Sequence, residues 1–109
     1  MEKLIEMASE LGQAIANHSR TADLRKAQKI VQEDSEASQL IEQYQVQGQK
    51  ITDLQKQNKP IEVEDKHKLQ EIETNICNNE LLKELTKCQA NFVELMQKVK
   101  QTIDDQLKV

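Results

Sequence analysis

Aromatic rings are almost missing from this chain. Tyr44 and Phe92 are the only two, and there is no Trp. A core must therefore be built from Leu, Ile, Val, Met and Ala. Two glycines and one proline in 109 residues argue against a turn-rich β protein, whose bends and hairpins draw on both. Cys77 and Cys88 are the only cysteines. They show no CxxC spacing, and two thiols cannot complete a four-ligand metal site alone. No stretch approaches the roughly 18 apolar residues of a membrane span. The opening MEKLIEMASELGQAI also lacks the apolar run of a secretory signal. The expectation is a soluble cytoplasmic protein without a structural disulfide.

Catalytic grammar is missing as well. A nucleophile needs a base and an orienting group in fixed contact. His18 sits in a polar break, and His67 lies among Glu64, Asp65, Lys66 and Lys68. Neither has a Cys or Ser partner in view. Glu64, His67 and Glu71 share a helix face at steps of three and four, which reads better as a surface ion-pair row than as a metal site. Nothing in the sequence around carboxylate pairs such as Glu33-Asp34 and Asp104-Asp105 suggests the buried environment that acid–base work needs. The Gly-rich phosphate cradles GxxxxGK[ST] and GxGxxG do not occur. No enzyme and no cofactor are expected.

The net charge of −4 gives no surplus for binding phosphate. With almost no rings to stack on bases, direct nucleic-acid binding is disfavoured. Basic residues do gather at Arg20, Arg25, Lys26 and Lys29. That cluster is a solvated helix face or a partner-docking patch.

What the chain has in plenty is helix formers: Gln, Glu, Lys and Leu. From Glu80 to Val109 there is no Pro or Gly. Leu81, Leu85, Cys88, Phe92, Leu95, Val99 and Ile103 recur at steps of three and four, the period of an amphipathic helix. Such a rod, about 45 Å long at 1.5 Å per residue, outreaches a compact domain with a radius of gyration of about 13 Å. Its stripe is expected to meet a helix from a second chain. Cys88 falls on the stripe and reads as a small packing residue.

Upstream, a first helix is expected from about Glu2 to Asn17, with Leu4, Ala8, Leu11 and Ile15 in line. Thr21 is placed to cap a second helix ending near Glu33, and Asp34 or Ser35 to cap a third. The third runs to about Asn58 with Leu40, Tyr44, Gln47, Ile51 and Leu54 on one face. Gly48 inside it costs about 1 kcal/mol relative to Ala. It serves close helix approach or is simply tolerated, and tolerance is the favoured reading. Lys59-Pro60 ends that helix. A fourth carries Leu69, Ile72 and Ile76. At Cys77-Asn78-Asn79 the chain either breaks, with Asn79 capping the final helix, or runs on as one continuous or merely kinked rod. The second option is slightly favoured.

The expected fold is all-α, in one domain over residues 1–109. It is a long antiparallel helical hairpin with two shorter N-terminal helices, assembled into an oligomeric helix bundle. Leu85, Phe92, Leu95, Val99 and Ile103 are the expected packing or dimer face. Tyr44, Ile51 and Leu54 should face that helix within the hairpin or across the dimer.

Three segments carry a resemblance: LGQAIANHS at 11–19, ADLRKAQKIVQEDSEASQLIEQYQ at 22–45 and NNELLKELTKCQANFVELMQKVKQTI at 78–103. The turn Asp34-Ser35-Glu36-Ala37 is similar to an acid-x-Glu-Ala element between the second and third helices of the YlbF/YmcA (YheA-like) family of small helical proteins from Gram-positive bacteria. The resemblance spans nearly the whole chain. It implies an all-α fold of helical hairpins, usually dimeric or higher, and a cytoplasmic regulatory role. The best-known members act in competence, sporulation and biofilm development. They form a complex with each other and a third, unrelated protein, and modulate an endoribonuclease and RNA processing. Some carry cysteines for iron–sulfur clusters. Here Asp104 to Val109 contain no cysteine, so a cluster would need Cys77 or Cys88 from several chains.

The leading expectation is a non-enzymatic regulatory adaptor. Its partners would be a second copy of itself and other regulatory proteins, such as family paralogues or an endoribonuclease complex. The alternatives are an RNA-linked accessory factor using the basic helix face and an iron–sulfur or redox sensor.

Overall fold

The structure is a computed structural model that describes residues 1–108. Those residues form five α-helices and no strand: α1 (Glu2–Ala16), α2 (Ser19–Glu33), α3 (Ser35–Lys56), α4 (Val63–Asn78) and α5 (Glu80–Leu107). The expected all-α hairpin architecture is thus present. Two compact units are built from the chain. One holds Met1–Gln28 together with the residues from Leu85 onward, and the other holds Lys29–Glu84.

In the second unit α3 and α4 pack as an antiparallel hairpin. Val31, Ala37, Leu40, Ile72 and Leu82 supply its buried apolar side chains. Gln47 is buried with them, and its Nε2 donates to the Asp65 carbonyl at 2.9 Å. An amide inside an apolar seam is tolerated only when bonded in this way. Lys50, one turn further along α3, donates to Asp65 Oδ1 at 2.8 Å. The first turn of α4 is therefore held twice by α3, once through its backbone and once through a carboxylate.

Local chemistry sets the hairpin's ends. Asp34 Oδ2 accepts from the Ala37 N–H at 2.9 Å and caps α3. At the other end Asn58 takes the left-handed conformation, with φ 55°. The Lys59 N–H reaches the Leu54 carbonyl at 2.9 Å, and the Asn58 N–H reaches Gln55 at 3.1 Å. That pair of bonds is a Schellman closure with asparagine where glycine is usual. Pro60 follows and stops the helix from resuming.

A Cβ built at Gly48 meets nothing within 4 Å. No close helix approach within this chain requires the glycine, which agrees with the favoured reading of tolerance. Tyr44, expected to face the final helix within the hairpin or across a dimer, is 44% exposed in the single chain.

The expected continuous rod is absent. Asn79 leaves helical geometry, with φ −85° and ψ 120°, and separates α4 from α5. Its Oδ1 accepts from the Leu82 N–H at 3.0 Å, so the alternative reading, Asn79 as cap, is the one realised. The second arm of the hairpin is accordingly α4 alone.

The cap of α2 also differs from expectation. The helix starts at Ser19, two residues before Thr21. His18 precedes it, and the imidazole Nδ1 accepts from the Arg20 N–H at 3.0 Å, the bond that a capping side chain makes. Thr21 is buried one turn inside, where its hydroxyl donates to the Ile15 carbonyl at 2.6 Å and ties the end of α1 to the start of α2. In the first unit Ala27 and Cys88 are buried.

Two substitutions test these assignments by urea unfolding. Gly48→Ala should raise stability by about 1 kcal/mol; a loss would reveal a neighbour at that backbone. Asn79→Ala should lower stability by about 1 kcal/mol through the lost cap.

A candidate protein-association surface

The five α5 residues expected to associate are placed on one helix face, as their spacing requires. Leu85, Phe92, Leu95 and Val99 are half-buried, and Ile103 is 47% exposed. Ile51 and Leu54 are half-buried on α3. The stripe is thus covered in part by this chain, and its cover thins toward the C-terminal turns.

Apolar surface is also open on α1. This helix is amphipathic, yet none of its residues is buried. Leu4, Ile5 and Met7 are 67%, 61% and 57% exposed. Leu11 on α1 and Val99, Thr102 and Ile103 on α5 line one shallow cleft of about 260 Å³ with Lys98 at its rim. Sequence periodicity marks the α1 stripe as apolar, but it cannot tell a stripe that meets a core from one left open. That difference depends on how much partner surface the rest of the chain supplies.

Of the four basic residues expected to form a patch, Arg25, Lys26 and Lys29 are exposed on α2. Arg20 is committed elsewhere. Its Nη1 donates to the Asn91 carbonyl at 3.1 Å and lies 3.8 Å from Glu94 Oε1. Lys98 also donates to Glu94, at 3.0 Å. Arg20 and Asn91 lie 71 positions apart, a separation at which no spacing rule announces a bond.

Two carboxylates are shifted. The hydrogen bond from Lys50, reinforced by its charge, holds the Asp65 carboxyl below the usual carboxylate range against the opposing effect of partial burial. The hydrogen bond from Lys98, followed by the charges of Lys98 and Arg20, does the same for Glu94. The Asp65 bond and charge in turn raise Lys50 above the ordinary lysine value.

Glu64, His67 and Glu71 are exposed on α4 and form no ion pair with one another among the described residues. No group of three or more His, Cys, Asp or Glu among those residues is placed to hold a metal ion. Cys88 is buried and Cys77 exposed. No helix among the described residues is long and apolar enough to cross a membrane.

The depressed Asp65 pKa fixes the sign of an acid effect. Its contribution is complete above the unfolded carboxylate value near 4 and is lost as pH falls through the lower folded value. Asp65→Asn should therefore lower stability at pH 7 and flatten its decline below about pH 4. Urea midpoints for both proteins at pH 7 and pH 3 measure this.

Comparison with known proteins places this geometry. Residues 4–108 match the family described as "Control of competence regulator ComK, YlbF/YmcA". Among solved structures, Bacillus subtilis RicA, determined in complex with RicF, superposes with a TM-score of 0.85. It is 20% identical, and the match covers 97% of this chain and 94% of that one. A protein of unknown function (DUF964) from Bacillus stearothermophilus gives a TM-score of 0.76 at 20% identity, covering 97% and 93%. At that identity the likeness is one of fold. No match was found among curated proteins. On the extent of the family match, the chain belongs to the YlbF/YmcA family.

Proposed function

We propose that this chain is a non-enzymatic regulatory adaptor that acts by protein–protein association. The observation that carries this reading is the open apolar face of α1, beside the thinly covered end of the α5 stripe. A monomer's largest apolar patch is about 300–600 Å² and is often a contact site. The family's link to control of a competence regulator supports a regulatory role. RicA, which shares the fold, was solved in complex with another protein, RicF. By analogy, the partners proposed here are a second copy of this chain and other regulatory proteins, including family paralogues or an endoribonuclease complex. The proposed setting is the cytoplasm, with competence, sporulation or biofilm control as the process.

Burying a Leu-sized side chain contributes about 1.5–3 kcal/mol, so a few such residues per copy offset the cost of association. Leu85, Phe92, Leu95, Val99 and Ile103 are the proposed α5 contribution. Arg25, Lys26 and Lys29 are proposed as a secondary docking patch that steers an acidic partner.

Tagged protein recovered from its native cell should retain a protein partner after a high-salt wash. Leu95→Asp should abolish that retention, because it sets an unpaired charge in an apolar contact. Circular dichroism would show whether the variant still folds. Retention by a folded Leu95→Asp variant would remove Leu95 from the interface. Release of all partners by salt, together with RNA recovery, would favour the nucleic-acid alternative instead.

A further inference from the structure

We propose that His18 is a pH-sensitive latch for α1: a proton taken up by its imidazole below neutral pH opens the joint between α1 and α2 and frees α1 from α5. The inference concerns a single chain and does not depend on the association reading above.

Three observations carry it. The first is the bond itself. The Arg20 N–H donates to His18 Nδ1 at 3.0 Å, and the Thr21 and Ala22 N–H groups both reach the His18 carbonyl at 3.1 Å. His18 therefore closes the start of α2 with its ring and its backbone together. Nδ1 accepts only while it carries no hydrogen, so the neutral ring holds its proton on Nε2. The ring is exposed, and a second proton reaches Nδ1 from solvent. The acceptor then becomes a donor facing a donor, and the bond is lost. The same proton puts positive charge at the positive end of the helix dipole, two residues from the Arg20 guanidinium. The closed joint excludes this proton and the open joint accepts it. Closure is thus favoured above the imidazole range and lost as pH falls through it.

The second is what the joint holds. None of the α1 residues is buried, so packing gives this helix little purchase. The Ile15 carbonyl in its last turn accepts from the Thr21 hydroxyl at 2.6 Å and from the His18 N–H at 3.1 Å. Both donors belong to the segment that the ring closes. On its other side that segment is fastened to α5, where Arg20 donates to the Asn91 carbonyl at 3.1 Å. Residues 18–21 are one knot joining α1, α2 and α5, and His18 is its titrating member. Leu11 of α1 shares a shallow cleft with Val99, Thr102 and Ile103 of α5, so a swing of α1 is felt there.

The third is the surrounding charge. From Leu11 to Asn17 there is no ionisable side chain. The first turns of α2 bring Arg20 and Asp23. Within one turn of Asn91, α5 brings Lys87 and Glu94, with Lys98 bonded to Glu94 at 3.0 Å. Arginine and lysine keep their charge near neutral pH. The hydrogen bond from Lys98, with the charges of Lys98 and Arg20, holds Glu94 ionised below the usual carboxylate range. Glu94 is already shared by two cations and is not free to hold an imidazolium in place. Imidazole is the side chain that changes charge between about pH 5 and 8. The N-terminal amine also titrates there, but at the far end of α1.

The test is NMR of the full chain at about pH 7.5 and about pH 5.5, on either side of the imidazole range. The Arg20 amide lies in the first turn of α2, where no carbonyl of the same helix reaches it, so its protection from solvent exchange reports the His18 bond. Corrected for intrinsic exchange, that protection should fall about fivefold at the lower pH. The methyl signals of Leu11, Val99 and Ile103 should shift with the same midpoint. His18→Asn keeps a capping side chain that does not titrate, and should hold both readouts constant. His67→Asn, on α4, should titrate as the parent does.

Equal Arg20 protection at the two pH values overturns the latch. Lost protection with unmoved methyl signals overturns the release of α1. A His18→Asn variant that changes as the parent does assigns the effect to another group and overturns the role of His18.

Discussion

Aliphatic burial along one face of each helix is the interaction on which this fold depends, and the chain has few other resources. Without rings, a side chain fills less volume and covers less area, so helices must be long to gather enough contact. Long helices in a small chain then carry more apolar face than their neighbours can cover. The unit that holds the α3–α4 hairpin meets this by burying Val31, Ala37, Leu40, Ile72 and Leu82. On α1 the same demand is unmet within the chain, because none of its residues is buried.

Polar bonds then fix what aliphatic contact leaves loose. Apolar stripes slide past one another at little cost, whereas a bonded amide or carboxylate has one register. Gln47 and Lys50 both reach Asp65 and set α3 against α4. Arg20 sets the start of α2 against the middle of α5 through the Asn91 carbonyl. These bonds specify arrangement more than they add stability, since exposed ion pairs contribute little.

Much of the fold was legible from periodicity and punctuation. The α5 stripe, the Asp34 cap and the stop at Pro60 follow from local rules that need no knowledge of the rest of the chain. Gln47 was legible too, as the polar member of an apolar row. The break at Asn79 was harder, because the apolar spacing of Ile72, Ile76 and Leu81 carries straight across it. A one-residue interruption leaves the period almost undisturbed. His18 was hidden because imidazole is a rare cap, and Thr21 offered a commoner one close by. The commitment of Arg20 to α5 and the openness of α1 are tertiary facts. They depend on what the other helices supply, which no local window contains.

The two units differ in how their pieces are strung along the chain. Lys29–Glu84 is one uninterrupted stretch, whereas the other unit joins Met1–Gln28 to the residues from Leu85 onward. A contiguous hairpin closes short loops and forms fast; a unit drawn from both ends must close a long one first. During synthesis the hairpin can therefore mature while α1 waits for α5 to emerge. Throughout that interval its greasy side waits on residues that are made last.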